Sequence, residues 1–188
     1  MLHAVIMAGG SGTRFWPASR TDRPKQVLAV AGGGPLVRAT MERLEGLVPP
    51  ERILVVTNRR QAPLLRELLA PLPPTQVVAE PTPRDTAPCI ALAALLVRHR
   101  DPEGVMAVLP ADHVIGPRER FQAALEAAAG IAAREEALIT FGIEPTFPAT
   151  GYGYIRCGEK KTEAGGLPFH HVEAFTEKPD RERAEAWL

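Results

Sequence analysis

Cysteine is scarce in this sequence: Cys89 and Cys157 are the only two, far apart and without histidine at metal-ligand spacing. That argues against a disulfide scaffold or a zinc site and fits a reducing cytoplasm. Net charge is missing as well. The 22 basic and 22 acidic side chains cancel, so bulk charge offers no pull toward nucleic acid or an acidic membrane, and any anion has to be held by a local site. No uninterrupted apolar run reaches the ~18 residues of a membrane helix. The apolar start, Leu2 to Met7, has no basic region before it and runs straight into Gly9-Gly10. It reads as a buried strand and not as a signal peptide.

What is present is ordinary for a globular chain: 188 residues, 45% apolar and 23% charged, enough for one well-buried domain and a short remainder. Strand signals at Leu2–Met7, Ile53–Thr57, Gln76–Glu80, Val105–Leu109 and Ala137–Phe141 alternate with helical spacing. The helical stretches are Leu36 to Leu47, Leu64 to Leu69, Asp85 to His99 and Phe121 to Ala133. Apolar strands that do not alternate in polarity, separated by helices, predict a mostly parallel sheet covered on both faces, a Rossmann-like α/β fold. Ligands of such sheets sit beyond the carboxyl ends of the strands. After residue 145 the pattern changes to two antiparallel strands, Tyr152–Ile155 and Phe169–Phe175, around Gly165-Gly166, and then to a helix from Asp180. We therefore expect one part over 1–148 and a second part of the same domain over 149–188.

The segment Gly9-Gly10-Ser11-Gly12-Thr13-Arg14 follows the first strand. Glycines there let the backbone approach a ligand, and successive amides form an anion-binding nest. Arg14 and Lys25 add cationic donors. A dinucleotide fingerprint would need Gly or Ala where Phe15 stands, and Trp16-Pro17 break the helix it requires. An NTPase P-loop would need Gly-Lys-Ser/Thr. A purely structural turn explains two glycines but not the cations that bracket them.

Ala8 to Arg14 with Pro24-Lys25 resembles the signature of the sugar-1-phosphate nucleotidyltransferases. The extension Phe15-Trp16-Pro17-Ala18-Ser19-Arg20 with Gln26 resembles their bacterial mannose-1-phosphate guanylyltransferase branch. Thr57-Asn58, Glu80-Pro81, Arg84 to Pro88, Pro110 to His113, Thr150 to Ile155 and Phe175 to Pro179 match in the same order. The resemblance implies a nucleotidyltransferase of the nucleotide-diphospho-sugar transferase fold. Its substrates would be GTP and mannose 1-phosphate, and its products GDP-mannose and pyrophosphate, formed by in-line attack on the α-phosphate. It assigns Arg14 and Lys25 to the triphosphate, Gly9, Gly10, Ser11, Gly12 and Thr13 to the nucleotide, and Asp112 to Mg²⁺. Glu80 and Asp85 would accept from guanine, Lys178 would hold the sugar phosphate, and Gly151, Gly153 and Glu177 the sugar.

Each assignment has a plainer counterpart. Lys25 could be a solvated loop lysine, Asp112 a turn residue, and Asp85 the N-cap of the helix beginning at Thr86. Glu177-Lys178-Pro179 could be a charged strand end. His113 receives no role, and Arg84 could pair with a neighbouring carboxylate. Rival functions are a relative using another triphosphate or sugar, a non-catalytic sugar-nucleotide-binding paralogue, and a molybdopterin guanylyltransferase. The family is longer and supplies a second metal-binding Asp after its Glu-Lys-Pro motif, and nothing after Lys178 fits that Asp. The chain is therefore expected to be the front part of the enzyme, impaired alone, cytoplasmic, free of nucleic acid and membrane, with a homodimer as one allowed assembly.

Overall fold

The computed structural model describes residues 1–10, 16–20, 24–29 and 34–188. They fall into two compact units, Met1–Ala133 and Arg134–Leu188. No described helix is long and apolar enough to cross a membrane.

The first unit is built on four parallel strands, with the third in chain order beside the second, the second beside the first and the first beside the fourth. They are β1 (Leu2–Met7), β2 (Ile53–Asn58), β3 (Val77–Glu80) and β4 (Val105–Pro110). The helices are α1 (Leu36–Glu42), α2 (Ala62–Leu68), α3 (Thr86–Arg100) and α4 (Arg118–Glu135), and the unit boundary falls in the last turn of α4. Side chains alternate across a strand, and here both faces are apolar. Ala4 and Ile6, with Ile53 and Val55, face one core, shared with Val37 and Met41 of α1, Leu65 of α2 and Leu125 of α4. Val5, with Leu54 and Val56, faces the other, closed by Cys89, Ala93 and Val97 of α3. The helices thus cover both faces, as an apolar parallel sheet requires, and each fully buried aliphatic chain contributes roughly 1.5–3 kcal/mol.

Register sets up the site. β1 pairs with β4 from Leu2 opposite Val105 to Met7 opposite Pro110, and β2 with β3 up to Asn58 opposite Glu80. The pairing continues one step further, with the Ala8 amide donating to Val56 (2.8 Å) and the Ala111 amide to Met7 (3.1 Å). The segments beginning at Gly9, Glu80 and Asp112 therefore all leave the sheet at its carboxyl end.

The second unit is a hairpin of β5 (Gly153–Ala164) and β6 (Leu167–Glu177), followed by α5 (Arg181–Ala186). Its turn places Gly165 and Gly166 at φ 58° and 72°, the pair of positive values a two-residue hairpin of the favoured twist needs. Asp180 caps α5 by accepting from the Arg183 amide (2.9 Å).

Two sequence expectations change. Ala137–Phe141 is not a strand: the segment pairs with no described strand, and Leu138 and Phe141 stay exposed. A β-rich composition gives propensity, but a strand exists only where a neighbour accepts its backbone. β5 runs well beyond Ile155, through Glu159, Lys160 and Lys161. Pairing with β6 defines it, and charges are tolerated because most of its side chains face solvent.

Candidate functional site

The carboxyl end of the first unit's sheet begins with Ala8-Gly9-Gly10, whose three carbonyls are all tied down by side chains. Gln26 Nε2 donates to Ala8 (2.8 Å) and Gly10 (3.0 Å). Thr57 Oγ1 also donates to Ala8 (3.0 Å), Asn58 Nδ2 to Gly9 (3.2 Å), and Gln61 Nε2 reaches Gly10 at 3.5 Å. Thr57 and Asn58 end β2, so the strand carries its own donors to the loop beside it. No described backbone carbonyl takes the Gly9 or Gly10 amide. Such N–H groups at the end of a strand can meet an anion. Space is close at Gly9, where a Cβ would stand 3.2 Å from Glu80 Oε2, and a Cβ on Gly10 would touch Lys25 Cε at 3.4 Å.

Lys25 and Gln26 lie on one short 3-10 turn, Lys25–Val27. Gln26 is buried against the carbonyls, while Lys25 stands beside Gly10 and makes a short ion pair with Asp112. Burial works against the Asp112 charge, but the hydrogen bond and charge of Lys25, helped by His113, outweigh it and hold the carboxyl below the usual carboxylate range. The site so keeps an ionised carboxylate and an ammonium in contact, each with a side chain less than a fifth exposed (17% and 18%). An ammonium has three donors, so Lys25 can keep Asp112 and still bind an incoming oxyanion.

The two carboxylates expected at a base differ. Glu80, 6% exposed, lies against Gly9, and burial pushes its carboxyl above the ordinary range. Asp85 is exposed and occupies the N-cap position of α3 with φ 58°, yet its side chain makes no capping bond. Its side chain is thus not committed to the helix, and the positive φ is uncommon for a residue with a Cβ. Cys89, one turn into α3, has its thiol pushed up to about 11 by burial and by the Glu80 charge.

The remaining sugar-side candidates belong to the second unit. Lys178 has φ 46° and pairs with its neighbour Glu177 (3.0 Å), both well exposed. Its amide donates to Tyr152 (3.1 Å), closing the open end of the hairpin. The space a Cβ would need at Gly153 is taken by the ring of Phe175 (2.3 Å) and by Glu177 (3.0 Å), whereas nothing lies within 4 Å of a Cβ on Gly151. Ser11, Gly12, Thr13 and Arg14 lie outside the described residues.

The first unit therefore brings together Gly9, Gly10, Lys25, Glu80 and Asp112. Sequence reasoning did not assign the donors behind the loop, Gln26, Thr57, Asn58 and Gln61. The signals available for them were the polar pair Thr57-Asn58 at the end of an apolar strand and the place of Gln26 and Thr57-Asn58 among the matching motifs. Among the described residues no group of three or more His, Cys, Asp or Glu could hold a metal ion.

Comparison with known proteins gives a consistent picture. The nucleotidyl transferase family profile matches residues 3–188. The chain is 44% identical over its whole length to a mannose-1-phosphate guanylyltransferase of Klebsiella pneumoniae, of which it covers 40%. It is 42% identical, over 98% of its length, to the xanthan biosynthesis protein XanB of Xanthomonas campestris, covering 38% of that protein. A Thermus thermophilus crystal structure described as a mannose-1-phosphate geranyltransferase superposes with a TM-score of 0.85 at 38% identity, over 99% of this chain and 52% of that one. A mannose-6-phosphate isomerase from Helicobacter pylori, 24% identical with a TM-score of 0.72, shares the fold over 98% of this chain and 63% of its own. The chain spans about two fifths of the length of the curated relatives it matches.

Proposed function

This chain belongs to the nucleotidyl transferase family, and on that premise we propose that it carries the nucleotide half of an enzyme forming GDP-mannose and pyrophosphate from GTP and mannose 1-phosphate. The observation that carries the reading is the Lys25–Asp112 pair beside Gly10 at the carboxyl end of β1 and β4. The guanylyltransferase relatives support the choice of substrates.

Two anions have to meet in this reaction. A phosphate oxygen of the sugar phosphate attacks the α-phosphorus in line, that P–O bond forms, and the bond to the pyrophosphate leaving group breaks. The protein has to neutralise charge and fix geometry and needs no covalent nucleophile. Lys25 and the amides of Gly9 and Gly10 would hold the triphosphate, and the sequence motif gives Ser11, Gly12, Thr13 and Arg14 the same role. Asp85, exposed and uncommitted to its helix, is the better placed of the two carboxylates to accept the N1–H and exocyclic amine of guanine. Glu80, tucked under Gly9, would support the loop from below. Lys178 would receive the sugar phosphate, and Glu177, Gly151 and Gly153 the sugar. In this reading 1–148 serves the nucleotide and 149–188 the sugar phosphate.

The family generally uses a divalent metal. The donor set at Asp112 fits Mg²⁺, which takes one or two carboxylates, keeps several waters and completes its shell with substrate phosphate oxygens. Asp112 would supply one ionised carboxylate to such a shell. When bound, the ion would supply charge neutralisation at the triphosphate.

The test is competition among triphosphates in the full-length protein with mannose 1-phosphate as acceptor. GTP should be used in preference to UTP and dTTP. Preference for either of those would overturn the assignment.

A further inference from the structure

We propose that Arg43 is a positioning residue for Asp112, fixing the backbone on which that carboxylate stands. The inference rests on the reading of Lys25 and Asp112 as the core of the transfer site. Arg43 follows α1 and is 9% exposed. Its Nη1 donates to the carbonyl of His113 (2.8 Å) and its Nη2 to Thr40 Oγ1 (2.9 Å). Its guanidinium carbon stands 5.8 Å from the centre of the Phe121 ring. No described carboxylate pairs with it, and its Nε is buried without a hydrogen-bond partner.

A buried cation with no counter-ion and an unsatisfied N–H is an expensive way to fill space. A methionine or leucine would pack there without the desolvation cost. The fork of a guanidinium does something an aliphatic chain cannot: it spans two fixed acceptors at once. One acceptor is on α1. The other is the carbonyl immediately after Asp112. On the other side of Asp112, the Ala111 amide is held by Met7 of β1 (3.1 Å). Asp112 thus stands between two backbone anchors, one supplied by the sheet and one by Arg43. The same turn is tied to the start of α4, because Gln122 Nε2 donates to the Arg43 carbonyl (2.8 Å) and Arg118 pairs with Glu45 (3.3 Å). The loop from Asp112 to α4 is therefore strapped at both ends.

The function of the strap is geometric. Misplacing a reacting group by about 1 Å can cost ~10²-fold in rate, and Asp112 has to meet Lys25 and the phosphates together. A double-mutant cycle separates this from general support of the fold. Turnover of GTP with mannose 1-phosphate is measured in the full-length protein for Arg43→Met, Asp112→Ala and the double variant. Arg43→Met should lower kcat by about 10-fold on the native background, and by less than about 2-fold once Asp112 is alanine. Arg43→Lys, which keeps the charge but reaches one acceptor, should fall between. It replaces Arg43→Met in the cycle if the methionine variant does not fold. Equal losses on both backgrounds would overturn the proposal, because Arg43 would then act independently of Asp112. An Asp112→Ala variant with unchanged turnover would instead sink the reading of the site itself, and this proposal with it.

Discussion

The two units handle polarity in opposite ways. In Met1–Ala133 the strands are covered on both faces, and several buried or half-buried polar side chains are held by named partners: Gln26 and Thr57 on carbonyls, Lys25 on Asp112, Arg43 on His113. In Arg134–Leu188 the hairpin side chains are largely exposed and its ion pairs, such as Lys178 with Glu177, lie at the surface. Exposed pairs are worth about 0–1 kcal/mol. A pair such as Lys25–Asp112, less than a fifth exposed on each side, is instead set in advance. The lesson is that Met1–Ala133 fixes its charges through its core, while Arg134–Leu188 carries exposed charges on a two-stranded frame that is marginal by itself.

The largest expected effect is on stability. Ile6→Ala, fully buried at the centre of the sheet, should cost ~2–5 kcal/mol in chemical denaturation. Val172→Ala on β6, 53% exposed, should stay within about 0.5 kcal/mol. Similar losses at both positions would mean that the hairpin hides a core of its own. Cysteine chemistry is the next contrast. Cys89 is buried with its thiol pushed up to about 11, whereas Cys157 is exposed on β5. A thiol reagent at pH 8 should label Cys157 at least ~10²-fold faster than Cys89, since only the accessible thiolate reacts. Two rapid equivalents would show that the α3 face opens readily.

The smallest effect is acid sensitivity. The folded state holds Asp112 below its ordinary range. Its contribution to stability is therefore complete above the unfolded carboxyl's pKa, and it is lost as pH falls through the lower folded value. Asp112→Asn should lower stability near neutrality, where the charged pair contributes fully, and should flatten the acid limb, so that the two proteins converge at low pH. An unchanged acid limb would mean that the Lys25 contact does not stabilise the ionised carboxylate.

Much of the first unit was legible because both faces of its strands are apolar and Gly or Pro punctuates them. β1 falls on Leu2–Met7, and β4 differs from the expected Val105–Leu109 only by including Pro110. Lys25 and Asp112 were each legible as candidates, but their contact joins positions 87 apart and needed the register of β1 with β4. The role of the donors on the Ala8–Gly10 carbonyls and the strap at Arg43 were not legible. Spacing along the chain does not say which carbonyls lack a partner, and a lone Arg after a helix reads as solvated. Ala137–Phe141 misled for a related reason: composition favours extension but cannot supply a neighbouring strand.

The central claim is that Lys25 and Asp112 form the working core of a transfer site. Steady-state turnover of GTP with mannose 1-phosphate in the full-length protein tests it directly. Lys25→Ala and Asp112→Ala should each lower kcat by at least ~10²-fold, the scale of losing one preorganised electrostatic group, with the fold intact by circular dichroism. Near-normal turnover in both variants would contradict the account.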